Sequence, residues 1–517
     1  MQKQIITSAI ALTLFGCGGG ESGNSGNPAP PIKNYTIDFL GTGSVTGSQA
    51  TTRNCQIFGY GPEKENGSRD KIIAYRTLPI NTTTRKYEVF IHNADGSVRQ
   101  HFRGSDLNTN QLQFAQREIP NDGYLSFVIL ESSSTNITTF AKSLLPDVFS
   151  VYTEGNINPC LTPNSANPQE IEVAGYIAPA KAGVLHEYSG FNTVYQNLKG
   201  DLANNYEQDK SSQDEIKFAT QQRPLLAITY ETDKDGSVLL PPRGFKFTPF
   251  NQRGTIGNAI RLDMPNNQVD SFDNHATLSS DVLIENAVLF VNGKKLLQSA
   301  NYAYLWQPLI KNNTVINNKF SYAERIGDDN YYLYLQGKQD ANGNPLYWGV
   351  QHVTQGTVNG TSLNAQDVLH PLPDPNKPIL SDCTIGISGQ CLAVDTGNLA
   401  AVEGAQRVSL GATLAIDSTR SLRQVFYTPI QSTLPILKFN NTEIDGGLKQ
   451  NAASISFMIS ESPEVRETFL YQHQNLAGEE RSNLKLDTIP LLKNISAQQD
   501  QQDLLKRQPY TWVWLEE

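Results

Sequence analysis

The chain has 517 residues, of which 38% are hydrophobic and 18% charged, and its formal charge is −10. At roughly 100 to 200 residues per domain, three or four units are expected rather than a single core; an acidic chain without a basic run gives no electrostatic basis for binding nucleic acid or anionic lipid head groups. The low charged fraction, with abundant Asn, Gln, Ser, Thr and Gly, suits a β-rich extracytoplasmic protein, with uncharged polar side chains on outer strand faces and Gly, Asn and Pro in its many turns.

Met1-Gln2-Lys3 lead into the apolar run Ile5–Phe15, which ends at Gly16-Cys17 and passes into Gly18-Gly19-Gly20-Glu21-Ser22-Gly23. A charged start, about ten apolar residues and a small residue at the cut form an export signal. The run falls short of the roughly 20 residues needed to cross a bilayer. Leu14-Phe15-Gly16-Cys17 resembles the lipobox of bacterial lipoproteins. The resemblance implies that residues 1–16 are a signal peptide that is removed and that Cys17 carries lipid. By the same resemblance, Gly18 after the cysteine, in place of an acidic residue, implies sorting to the outer membrane. Residues 17–33 are then the lipidated cysteine and a flexible tether with a span of roughly 20 to 25 Å, stiffened at Pro28-Ala29-Pro30-Pro31. Attachment to the membrane is expected through the lipid alone.

Four β-rich segments are expected to follow. In 34–168, Tyr35–Leu40 alternates, and Tyr87–His92 and Ser97–Phe102 flank Asn93-Ala94-Asp95-Gly96, a strong hairpin signal. Tyr124–Leu130 has the continuous apolar character of a more buried strand, and Pro159, Pro163 and Pro168 mark the boundary. In 169–271, Phe191, Val194, Tyr195 and Leu198 fall at i, i+3, i+4 and i+7, which predicts a short helix ended by Gly200. There Leu225–Tyr230 and Ser237–Leu240 flank a second turn, Asp233-Lys234-Asp235-Gly236. In 272–375, Asn292-Gly293 between Val288–Val291 and Lys294–Leu297 predicts a type I′ turn, whose two central residues need positive φ. Tyr331–Leu335 and Leu346–Val350 predict a further hairpin around Asp340-Ala341-Asn342-Gly343.

The prolines between His370 and Pro378 cannot donate ladder hydrogen bonds and mark a linker. In 376–517, Ile455, Phe457 and Ile459 alternate with Ser454, Ser456, Met458 and Ser460, the pattern of a half-buried strand. A short helix is predicted from Ser496 to Lys506, and the aromatic strand Tyr510–Leu515 is expected to pair inside the last sheet. The predicted fold is therefore all-β: several β-sandwich domains of immunoglobulin-like type in series, related or convergent, with one or two short helices.

With Cys17 lipidated, Cys55, Cys160, Cys383 and Cys391 remain, an even number that suggests two disulfides in an exported chain. Three connectivities are open; Cys55–Cys160 and Cys383–Cys391 would each close within one segment. No Cys-x-x-Cys pair and no His-Glu-x-x-His occurs, so no metal is expected. The seven histidines are scattered, and His92 and His101, on facing strands of one hairpin, are set about two residues out of register by their turn. The Asn/Asp-x-Asp/Asn-Gly turns lack the full 12-residue calcium loop and its closing Glu. Gly386-Ile387-Ser388-Gly389 lacks the second glycine of a nucleophile elbow, and no glycine-rich nucleotide loop or other cofactor motif is present.

The surface candidate is aromatic: Tyr302, Tyr304 and Trp306 alternate with Ala303 and Leu305, and Tyr332, Tyr334 and Trp348 lie in the same segment. Exposed, such a row would stack sugar rings or a protein partner; buried, it is core. The expectation is a non-enzymatic, lipid-anchored protein of the bacterial outer membrane, exposed at the cell surface. It would bind a glycan or protein partner or coat a surface structure such as a flagellar sheath. The rival is an envelope hydrolase acting on polysaccharide, whose two carboxylates the many acidic residues leave unassigned.

Overall fold

A computed structural model describes residues 32–46, 57–65, 69–79, 84–153, 283–292, 303–315, 331–353 without 342, 375–384, 389–397, 402–476 and 500–516 without 502, with short strands between 172 and 272, strand 320–322 and a few single positions. The described residues are predominantly β. The first strands are β1 (Asn34–Val45), β2 (Ile57–Glu63), β3 (Arg69–Arg76), β4 (Arg85–His92), β5 (Val98–Arg103), β6 (Gln111–Ala115), β7 (Tyr124–Glu131), β8 (Ser134–Ala141) and β9 (Val148–Tyr152). There follow β10 (Glu172–Ala178), β11 (Val184–Ser189), β12 (Tyr195–Gln196), β13 (Leu202–Ala203), β14 (Glu215–Ala219), β15 (Leu225–Thr232), β16 (Leu239–Thr248), β17 (Ile260–Arg261) and β18 (Asp270–Phe272). Then come β19 (Leu283–Asn292), β20 (Ala303–Lys311), β21 (Thr314–Val315), β22 (Phe320–Tyr322), β23 (Tyr331–Ala341) and β24 (Asn344–Val353). The chain ends with β25 (Ile379–Asp382), β26 (Gln390–Ala393), β27 (Gly404–Leu414), β28 (Ser421–Pro429), β29 (Thr433–Pro435), β30 (Leu448–Ile459), helix α1 (Pro463–Leu476) and β31 (Tyr510–Leu515).

Thirteen strands form one sheet in the order β21-β20-β19-β23-β24-β31-β30-β27-β28-β8-β7-β4-β5. It takes strands from segments 34–168, 272–375 and 376–517, so the linker prolines do not separate independent sheets. Within it the order β20-β19-β23-β24 recurs as β28-β27-β30-β31 and as β5-β4-β7-β8. In each block the first hairpin strand lies between its partner and the third strand, and the fourth strand lies outside the third.

A second correspondence involves the strands outside this sheet. One strand precedes the first hairpin of each block and one precedes the third strand, and these two pair antiparallel: β1 with β6, β18 with β22, and β26 with β29. In the remaining segment β10 pairs with β14 in the same way, and β11, β15 and β16 lie side by side. The sequences echo this: Gln111-Leu112-Gln113-Phe114-Ala115 of β6 matches Glu215-Ile216-Lys217-Phe218-Ala219 of β14, each opposite the same positions of β1 and β10.

The blocks meet through β24·β31, which is antiparallel, and β28·β8, which is parallel. β1, β6 and β9 pack over β4, β7 and β8, enclosing Ile37, Phe39, Val89, Ile91, Leu125, Phe140 and Phe149 between two sheets. The opposite face of the large sheet, from Phe90 and Val128 to Leu289, Trp306, Trp348 and Val513, packs against Leu392, Leu434, Ile436 and Phe439. Val465 and Phe469 of α1, with Leu505, cover Val288, Tyr334, Met458 and Trp512 on the other side.

Several sequence expectations match this architecture. The β4–β5 hairpin turns at Asp95-Gly96, with Gly96 at φ +81°. Asp95 Oδ1 accepts from Ser97 N at 2.9 Å and from its hydroxyl at 2.6 Å, so the carboxylate braces a turn and is held below its ordinary pKa mainly by the Ser97 hydroxyl. β15 pairs with β16, with Thr232 opposite Leu239; the expected turn Asp233–Gly236 lies outside the described residues. β23 and β24 meet at Ala341↔Asn344, with Gly343 between them at φ +80°. Helix occurs at residues 500, 501 and 503–505, within the predicted Ser496–Lys506 segment.

Others are corrected. Asn292 pairs with Ala303, so the partner of β19 is Ala303–Lys311 rather than the expected Lys294–Leu297; Gly293 and Lys294–Leu297 themselves lie outside the described residues. Tyr195 and Gln196, placed in a helix by periodicity, are extended and pair with Ala203 and Leu202; a four-residue apolar match is too short to outweigh strand pairing. β30 is buried on both faces at Ala453–Met458, because α1 covers the side bearing Ser456 and Met458. That helix was not anticipated. Its signals are Ser462 before Pro463 at the first helical position; the Ser462 hydroxyl accepts from Val465 N at 3.4 Å.

β31 fills the slot between β24 and β30, pairing Trp512 with Gly349 on one side and Met458 on the other. All six of its residues are buried. At about 1.5–3 kcal/mol per large apolar side chain, its burial rivals the whole stability of an ordinary domain, roughly 5–15 kcal/mol. Deleting residues 510–517 is therefore expected to abolish cooperative unfolding in a urea titration followed by tryptophan fluorescence. Gly349→Ala places a Cβ 2.4 Å from the Tyr334 hydroxyl and is expected to lower stability by about 1–3 kcal/mol in the same titration.

Candidate functional site

The aromatic candidates are core. Tyr304, Trp306, Tyr332, Tyr334 and Trp348 are all buried, and Tyr302 lies outside the described residues. Tyr304, Trp306 and Trp348 join one core cluster, Leu305, Tyr332 and Tyr334 the one on the opposite face. Alternation places Tyr304 and Trp306 on one side of β20, but both sides of the sheet are covered there, so among the described residues these aromatics form no exposed stripe. Burial pushes the Tyr334 hydroxyl far above its ordinary pKa.

Of the cysteines, Cys383 and Cys391 form a disulfide across the β25–β26 hairpin, with Cα atoms 5.8 Å apart. Cys17, Cys55 and Cys160 lie outside the described residues. Among the described residues no three His, Cys, Asp or Glu side chains are placed to hold a metal ion.

His101 stands opposite Phe90, not His92, and stacks on its ring at 4.0 Å. Its Nε2 lies 3.0 Å from Glu88 Oε2. His92 is fully buried between Phe90 and Phe439, at 5.9 and 5.3 Å between ring centroids. Burial lowers His92 to about 3, opposed weakly by the Gly96 backbone. Both histidines are thus parts of an aromatic stack at the base of the hairpin, whose tip is held by Lys438 N donating to Gly96 O at 2.9 Å.

The polar group that the fold assembles was marked by no motif. Opposed residues of neighbouring strands share a face, and the registers draw one row across the sheet: Tyr347, Trp514, Ser456, Arg407, Tyr427 and Phe140. The next row on that face holds Ser454, Ser409, Val425 and Thr138, and the one beyond it Ala452, Gly411, Arg423 and Asn136. The row runs along the seam where the core under α1, with Ala405 and Met458, gives way to the sandwich core of Val425, Tyr427 and Phe140.

Arg407 is only 7% exposed. Its Nε donates to Tyr427 Oη at 3.3 Å, and its guanidinium lies 6.0 Å over that ring. Among the described residues no carboxylate pairs with Arg407 or with the exposed Arg423. Ser409, 1% exposed, has a hydroxyl without a hydrogen-bond partner. Ser454 and Ser456 are buried beside them. A buried cation is costly unless compensated; here a tyrosine hydroxyl and ring face do part of that, and the terminal guanidinium nitrogens retain donors suited to a planar oxyanion.

No family model and no curated protein matches the chain. Among solved structures it is similar to Escherichia coli alpha-2-macroglobulin activated by porcine elastase, at 11% identity and a TM-score of 0.10. The match spans 75% of this chain and 40% of that one, and its TM-score is too low to relate the folds.

His92 sets a pH dependence. Its folded pKa of about 3 lies below the ordinary value of about 6.5, so the unfolded chain binds a proton first. Its contribution to stability is complete above pH ~6.5 and falls progressively towards pH ~3. The urea midpoint of the wild type is expected to drop more steeply between pH 7 and 4.5 than that of His92→Phe, and equal slopes would contradict this account.

Proposed function

We propose that the chain is a lipid-anchored protein of the bacterial outer membrane, exposed at the cell surface, with a non-enzymatic binding or structural role. The observation that carries this is Leu14-Phe15-Gly16-Cys17 at the end of a short apolar run, followed by a Gly/Ser/Asn/Pro tether. Among the described residues no helix is long and apolar enough to cross a membrane. In this role the body binds a glycan or protein partner, or packs as a coat on a surface structure such as a flagellar sheath. Support for binding comes from Arg407, a buried cation to which the described residues supply no counter-charge.

The rival, a hydrolase of envelope polysaccharide, requires two facing carboxylates with separated pKa values. Among the described carboxyls Asp445 is pushed up, by burial, but it accepts from Phe439 N at 2.9 Å and Asn441 N at 3.1 Å and thereby braces a loop. It lends the enzyme no second acid. Metabolic labelling with a fatty acid tests the anchor: the wild type is expected to take up label and Cys17→Ala to lose it, with release of the body from the membrane fraction. Protease treatment of intact cells is expected to degrade the wild type. An unlabelled wild type would sink the anchor, and labelled protein that resists protease would place the body inside the envelope.

A further inference from the structure

We infer that the outer edge of β5 binds an extended, acidic peptide segment of a protein partner by strand addition; this rests on the binding role proposed above and names the partner's chemistry. β5 ends the thirteen-stranded sheet and is paired on one side only, with β4. Arg103 N turns away from the ladder and donates to Asp106 Oδ2 at 3.1 Å. Main-chain groups of an antiparallel strand alternate in direction, so the N–H and C=O of His101 face outward as well. An edge of six residues with outward donors and acceptors is a template for one more strand.

This edge is already held in shape. His101 stacks on Phe90 at 4.0 Å with its Nε2 3.0 Å from Glu88 Oε2, and Lys438 N fixes the hairpin tip through Gly96 O at 2.9 Å. Binding therefore has little of this chain left to order, which favours affinity.

The side chains of β5 say which strand fits. Arg99, His101 and Arg103 alternate onto one side, Gln100 and Phe102 onto the other. Arg99 and Arg103 are exposed, and among the described residues neither lies within ion-pair reach of a carboxylate. The acids at hand are engaged: Glu88 with His101, Asp106 with Arg103 N, and Asp95 with Ser97. On the other side Phe102 packs against the sandwich core and stacks on Phe114 at 5.7 Å. An antiparallel strand with acids opposite Arg99 and Arg103 and β-branched residues opposite Gln100 and Phe102 matches both sides, since opposite charges and aromatic–β-branched pairs are favourable across strands. The same charges disfavour a second copy. Two β5 strands paired about His101 would set Arg99 of each directly against Arg103 of the other.

The test uses the full lipidated chain in non-ionic detergent micelles and the fluorescence anisotropy of a labelled peptide with the core Glu-Val-Thr-Val-Glu. Comparison probes are Lys-Val-Thr-Val-Lys, the acidic peptide N-methylated at its central Thr, and an oligogalacturonate as a polyanion without amides. The acidic peptide is expected to bind and the basic one not to. Methylating the central amide, which faces His101, is expected to weaken binding about tenfold. Arg99→Gln and Arg103→Gln are each expected to weaken it about threefold, whereas Lys449→Gln, exposed on the interior strand β30, is expected to leave it unchanged. The inference is overturned by absence of acidic-peptide binding, by equal affinity of the basic or methylated peptide or of the uronate, or by unchanged affinity in both arginine variants. Dimers in sedimentation velocity that the acidic peptide dissociates would overturn it too, by giving the edge to a second copy. Fatty-acid labelling of the same preparation separates the two proposals: label without peptide binding refutes the edge site and leaves the anchor, whereas binding without label refutes the anchor alone.

Discussion

The large sheet depends on β31, a strand that follows all of its neighbours in the sequence. β31 supplies ladder hydrogen bonds to β24 on one side and β30 on the other, so neither neighbour has a complete interior environment until residues 510–515 are in place. The parallel pairing of β8 with β28 makes a comparable demand, joining strands on either side of the whole middle of the chain. Contacts of this range must overcome loop-closure entropy before they repay it, which slows folding and exposes strand edges meanwhile. Burial of the three aromatic residues of β31 supplies the compensating free energy. Trp512 packs over Met458 and beside Phe469 of α1, and Trp514 stacks on Tyr347 at 5.5 Å.

Around that slot the chain repeats one wiring: a hairpin, a strand sent to another sheet, and then a second pair of strands. Such a unit has a hydrophobic face that must be covered. The blocks solve this jointly, by merging their sheets edge to edge and by placing β1, β6 and β9, α1, and the strands around Leu434 on the exposed faces. Edge-to-edge merging also removes most strand edges, which would otherwise invite aggregation. What remains at the ends is the two-residue β21 and β5, whose Arg99 and Arg103 are exposed and charged.

Two-sided burial explains both the fate of the aromatic residues and the character of the seam. Where two apolar covers meet, side chains of intermediate polarity are tolerated, and there the sheet presents Arg407 among serines. The same face holds Trp514 and Tyr347 on one side and Tyr427 stacked on Phe140 at 5.0 Å on the other, so the guanidinium is fixed by packing. A cation held this way keeps its geometry without an acid beside it. That distinguishes it from the half-buried Arg85–Glu131 pair at 2.6 Å, whose charges satisfy each other.

The sequence by itself determined the strands and most of their turns, because alternation and Asp-Gly or Asn-Gly chemistry act over a few residues. Tyr87–Phe102 and Tyr331–Val350 are read directly as hairpins, and Asp95 and Gly96 show why. The lipobox-like Leu14-Phe15-Gly16-Cys17 is likewise a local pattern. Pairing partners were not legible: Asn292-Gly293 suggests Lys294–Leu297 as the next strand, yet β19 takes Ala303–Lys311. Nor was the second covered face, which turns the alternation of Ile455, Phe457 and Ile459 with serines into a strand buried on both sides. Arg407 and Ser409 share one strand, but Arg423 and Ser454 come from β28 and β30, and only the registers of these strands place them on one face. A strand pattern fixes which residues share a side, but what lies against that side is set by non-local contacts that the pattern does not encode.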